Sequence, residues 1–78
     1  MAEGKDYQLD VKGLFPPLAH LKVIQLCNEM EPGDTLRIEH IDAETIRDLL
    51  TILKRCPLEL QGPQDQSGWY ALHLTKKT

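Results

Sequence analysis

The chain has little positive charge to spare. Nine Lys and Arg stand against twelve Asp and Glu, a formal net charge of -3 in 78 residues, with a pI near 5.5. That balance leaves no electrostatic footprint for nucleic acid. Long apolar runs are also missing. The first six residues carry three charges and no apolar signal core, and nowhere do about 20 apolar residues follow one another as a membrane helix requires. No membrane is expected, and a soluble cytoplasmic protein is. Cysteine is scarce, with only Cys27 and Cys56, which excludes a disulfide framework of the secreted kind. There is no internal repeat, low-complexity tract or Gly-rich phosphate loop, and no nucleophile–base or carboxylate pair stands out from the surface charge.

What is present reads as one ordinary globular domain over residues 1–78, with a core from about 7 to 75. Hydrophobic residues make up 41% and charged residues 27%, a balance that argues against disorder. In a chain this short the folded state is held by roughly 3–5 kcal/mol.

Alternation of Tyr7, Leu9 and Val11 with Gln8, Asp10 and Lys12 predicts a half-buried strand over 7–11. Gly13-Leu14-Phe15-Pro16-Pro17 then makes a sharp turn into a helix from Pro17 to Glu29. Its apolar stripe is Leu18, Leu21, Val23, Ile24, Leu26, Cys27 and Met30. Pro32-Gly33 stops it. A second strand is expected over Thr35–Ile41, with Leu36, Ile38 and His40 on one face. Asp42 is placed as the N-cap of a second helix running to Arg55, in which Ile46, Leu49, Leu50 and Leu53 are spaced for one buried face. A short strand at Leu58–Leu60, a polar hairpin loop at Gly62–Gly68 and a last strand at Trp69–Thr75 complete the pattern. Met1–Lys5 and Lys76–Thr78 read as tails.

The order β-α-β-α-β-β predicts an α+β two-layer α/β sandwich: a four-stranded mixed sheet with two helices on one face. A right-handed crossover makes the first two strands parallel. Both helix N-termini then lie at one end of the sheet, bringing the Gly13–Pro17 turn beside Asp42, Glu44 and Arg47.

Three segments in register carry a family resemblance. Leu9-Asp10-x-x-Gly13-Leu14-x-x-Pro17 resembles the opening Leu-Asp-x-x-Gly-Leu-x-Cys-Pro-x-Pro of the TusA/SirA-like sulfur-carrier family. Glu31-Pro32-Gly33-Asp34-Thr35-Leu36 is similar to that family's Pro-Gly-Glu turn, and Asp42-Ala43-x-Thr45-x-Arg47-Asp48-Leu49 to its Asp-Pro-x-Ala-x-Arg-Asp-Ile. The resemblance implies the same two-layer fold and a protein partner in a sulfur-relay or desulfurase system. It also implies a persulfide-bearing cysteine at position 16, where this chain has Pro16; the second motif proline falls on Ala19. Proline has no thiol, so the resemblance carries the fold across without the named chemistry.

Candidate site residues follow from the turn and from the resemblance. Asp10, Gly13, Phe15, Pro16, Pro17, His20 and Arg47 are expected to line a binding site. Phe15 either plugs the core or stands exposed as an apolar anchor, and Arg47 either lies on a solvated face or points at the turn to take an anion or a partner's carboxylate. Cys27 is expected inside, as a small hydrophobe; Cys56 either closes the core or is a reactive thiol beside Lys54 and Arg55. His20, His40 and His73 lack metal-ligand spacing, so neither metal nor cofactor is expected; His40 is expected on the inner sheet face and His73 toward water.

Three functional readings result. The first is a TusA-like domain without sulfur transfer, acting as a monomeric protein-binding or regulatory module. The second is an active sulfur relay using Cys56 or Cys27. The third, by fold analogy with a translation initiation factor's C-terminal domain, is an RNA-binding module, against which the acidic balance speaks. An edge strand bearing Trp69 would also be free to pair with a second copy.

Overall fold

A computed structural model describes residues 4–77. Six elements follow in order: β1 (Asp6–Asp10), α1 (Pro16–Glu29), β2 (Thr35–Ile41), α2 (Ala43–Leu53), β3 (Leu58–Gln66) and β4 (Trp69–Lys76). The sheet order is β1-β2-β4-β3, with β1 parallel to β2 and the other pairs antiparallel. This is the expected α+β sandwich with a mixed four-stranded sheet. No helix among the described residues is long and apolar enough to cross a membrane.

The core lies between sheet and helices. Leu36, Ile38, Leu72 and Leu74 rise from the central strands, and Val23 of α1 with Leu49 and Leu53 of α2 close over them, all at 1% exposure or less. In α2 the buried residues Ile46, Leu49 and Leu53 keep the predicted spacing, and Asp42 Oδ1 caps the helix by accepting from the Thr45 N–H at 2.7 Å. Asp34 is buried under the turn after α1, where its carboxylate accepts from the N–H groups of Glu31 and Lys5, each at 2.8 Å. These two bonds, that of Glu31 first, hold its carboxyl below the usual value of 3.8.

Several boundaries and faces differ from expectation. α1 begins at Pro16 and α2 stops at Leu53 rather than at Arg55. Leu18 and Leu21 belong to no buried stripe; they stand 48% and 62% exposed on the outer side of α1, because the buried arc runs through Ala19, Val23 and Cys27. Gly62-Pro63 is not a loop. β3 continues through it to Gln66, and the hairpin tip is Ser67-Gly68. Gln61 pairs with His73 and Gln64 with Ala71, so Gly62 and Pro63 share the single partner Leu72 as a bulge. Gly62 takes φ +104, and an added Cβ would meet the Ala71 carbonyl at 3.1 Å. β4, which carries Trp69, is an interior strand between β2 and β3, so it offers no edge to a second copy.

The tails are shorter than expected. Thr35 N–H bonds to Lys5 O at 2.8 Å, and Lys76 lies within β4. Residues 1–3 and 78 of the expected tails lie outside the described residues.

Candidate functional site

Parallel pairing of β1 and β2 puts the turn after β1 and the start of α2 at one end of the sheet, and a cleft of about 330 Å³ opens between them. Gly13, at φ +80, reverses the chain there, and the Leu14 N–H closes the turn on Val11 O at 3.1 Å. The chain then enters α1 at Pro16, with Phe15 in extended conformation as the capping residue. Phe15 has no side-chain group to cap the helix; its ring stands 75% exposed at the cleft mouth.

His40 reaches the same cleft through an irregularity in β2. Ile38 pairs with Leu72 and Ile41 with Tyr70, so Glu39 and His40 together oppose the single residue Ala71. The extra residue is absorbed at His40, whose φ is +59, a left-handed value that costs a residue with a side chain about 1–2 kcal/mol. Bulges of this kind re-aim a side chain. Here His40 leaves the inner sheet face it was expected to occupy, and Ile41 takes the buried position instead, at 0% exposure. His40 Nδ1 lies 3.1 Å from Asp10 Oδ1, and its ring meets Trp69 edge to face, with centroids 5.8 Å apart and planes at 82°.

Two carboxylates border this end of the molecule. Asp10 accepts from the Lys12 N–H at 2.9 Å; that bond, and after it the contact with His40, keeps its carboxyl below the usual range. Asp42 is held low chiefly by the Thr45 N–H. Thr45 itself is 3% exposed and forms part of the cleft wall.

Of the expected site residues, Gly13, Phe15 and Pro16 line the cleft, and Asp10 adjoins it through His40. Pro17 is exposed in the first turn of α1 without lining the cleft. His20 is half-buried, with Nε2 enclosed and without a hydrogen-bond partner among the described residues. Arg47 does not share the cleft; it lines a separate hollow with Ala43, Glu44 and Asp48 on the outer side of α2. His40 and Trp69 were not anticipated at the site. Alternation alone puts His40 inward, and only the unpaired extra residue in β2 turns it out.

The cysteines are elsewhere. Cys27 is buried in the last turn of α1, and burial, with Cys56 nearby, pushes its thiol up to about 11. Cys56 follows α2, half-buried, with its Sγ 3.8 Å from Ile52 O. Both sit at the C-terminal ends of helices whose N-termini border the cleft, and the 14 residues of α1 alone span about 20 Å. Among the described residues no three His, Cys, Asp or Glu side chains are grouped to hold a metal ion.

Comparison with known proteins gives a family match. A family model described as "Sulfurtransferase TusA" matches residues 7–76, from β1 to the end of β4. No curated protein and no solved structure matches the chain.

Proposed function

Since the chain belongs to the TusA sulfurtransferase family, we propose that it is a cytoplasmic protein-binding module of a sulfur-relay system that does not itself carry sulfur at the family's motif position. The observation that carries this reading is the cleft at the helix N-termini. The residue there that takes the motif position is Pro16, and beside it an exposed phenyl ring, Phe15, faces outward. Pro16 has no atom to hold a persulfide. Phe15, fixed between a turn and two prolines, loses little freedom on contact and suits the role of anchor for a partner.

A second reading has one observation in its favour. Cys56 is partly exposed, whereas Cys27 is buried with a raised thiol, so a relay on a relocated thiol would use Cys56. It would then work at the end of the molecule away from the cleft. The RNA reading gains nothing on the open sheet face, where Arg37 Nε lies 3.4 Å from Glu39 Oε2.

Persulfide loading tests the proposal. The protein and its Cys27→Ser and Cys56→Ser variants are incubated with a cysteine desulfurase and free cysteine, and the intact masses are recorded. No gain of sulfur in any of them is the expected result. A gain of one sulfur atom, abolished by Cys56→Ser, would replace this reading with the second.

A further inference from the structure

Helix N-termini gathered at one end of a sheet ordinarily make an anion site, because free N–H groups and the positive ends of helix dipoles point outward there. This cleft is built the other way. α1 opens with Pro16 and Pro17, which have no N–H, and the next two donors, of Leu18 and Ala19, both turn back to Phe15 O at 2.9 and 3.0 Å. In α2 the Thr45 N–H is taken by Asp42. No Lys or Arg is among the described residues lining the cleft.

What the cleft does present is the Asp42 carboxylate, the aromatic rings of Phe15 and Trp69, and the His40 imidazole, which pairs with Asp10. Asp42 has lone pairs to spare beyond its capping bond. Phe15 and Trp69 both contribute to the walls, and Trp69 is steadied by His40, which Asp10 holds in turn. Aromatic faces and a carboxylate together attract a cation. The net charge of -3 adds a long-range pull of the same sign.

We infer that the cleft receives a basic side chain, an arginine, from the docking segment of the partner protein. The inference rests on the protein-binding reading above and names the chemistry the partner brings. A guanidinium fits both parts of the wall: its plane stacks on an aromatic ring while its N–H fork donates to a carboxylate. Apolar neighbours of that arginine would meet Leu14 and Pro16, which also line the cleft.

Trp69 is the only tryptophan and so reports occupancy directly. The full chain is titrated with the blocked peptide Ac-Ala-Leu-Arg-Leu-Ala-NH2 and with the same peptide carrying citrulline, the neutral isostere, in place of arginine. Expected is a saturable change in Trp69 fluorescence with the arginine peptide, weaker by at least about fivefold with citrulline and again weaker in about 0.5 M NaCl. Asp42→Asn keeps a competent helix cap and is expected to weaken arginine-peptide binding by about fivefold. Amide shifts in a nitrogen-15 spectrum should cluster on the residues lining the cleft. Equal affinity for the two peptides, an unchanged Asp42→Asn variant, shifts centred elsewhere, or no saturation by about 10 mM each overturn the inference. None of these outcomes bears on persulfide loading, which decides on its own whether the chain carries sulfur.

Discussion

Lys76 Nζ donates to the main-chain oxygen of Cys27 at 2.6 Å, across 49 positions of sequence. The bond ties the end of β4 to the last turn of α1, where a helix leaves carbonyls without intrahelical partners. A cation at that pole also meets the negative end of the helix dipole. Lys76→Met keeps most of the aliphatic stem and removes the donor. It is expected to cost about 1 kcal/mol, read as a lower urea midpoint with an unchanged slope.

Acid sensitivity follows from three aspartates. Asp10, Asp34 and Asp42 all have carboxyls held below the ordinary 3.8 by main-chain N–H groups, Asp34 by two of them. A folded value below the unfolded one means stability that is fully present above the unfolded value and is lost as the pH falls through the folded one. Urea midpoints are therefore expected to drop from about pH 4 downward. Asp34→Asn, with no charge to lose, should be less stable at pH 7 and show a shallower acid limb. An acid limb identical to that of the wild type would remove Asp34 from this account.

The left-handed backbone at His40 makes a comparison of two substitutions informative. His40→Gly relieves the strain at φ +59, whereas His40→Val adds a branched Cβ to it. Both lose the contacts with Asp10 and Trp69. The glycine variant is expected to be the more stable by about 1–2 kcal/mol in chemical denaturation. Equal stability would mean that the bulge relocates when the residue changes.

Thiol reactivity should separate the two cysteines. With its pKa raised to about 11, Cys27 is about one part in a thousand thiolate at pH 8, and it is buried as well. Iodoacetamide at that pH is expected to add one label, at Cys56, as located by peptide mass mapping. A second label should appear only in denaturant.

Most of the fold is legible in the sequence because the two periodicities are clean where one face is dry. Thr35–Ile41 and the i, i+3, i+4, i+7 spacing in α2 are recovered for that reason. Two of the readings that fail do so where a single residue is added to a strand. Gly62-Pro63 looks like a turn because both residues usually punctuate chains, yet a bulge accommodates them within β3. His40 looks like an inward residue because alternation cannot register an extra one. Leu18 and Leu21 look like core because apolar residues near the helix period are assigned inward, although the sheet covers only one arc of α1.

The site was legible in the same uneven way. Gly13, Phe15 and Pro16 lie together because they are neighbours in a turn, which the sequence displays. Trp69 joins them only through the strand order, and Arg47 leaves them because its turn of α2 faces another side.

That strand order also governs how the chain can come into being on a ribosome. β4 pairs with both β2 and β3, yet it is the last of the described strands to be synthesised. Until residues 69–76 have emerged, β3 has no neighbour, β2 has only β1, and the core lacks Leu72 and Leu74. A nascent chain stopped before Trp69 therefore has no strand to join the β1-β2 pair to β3. A product lacking residues 69–76 is expected to be an open, protease-sensitive chain rather than a smaller version of the domain.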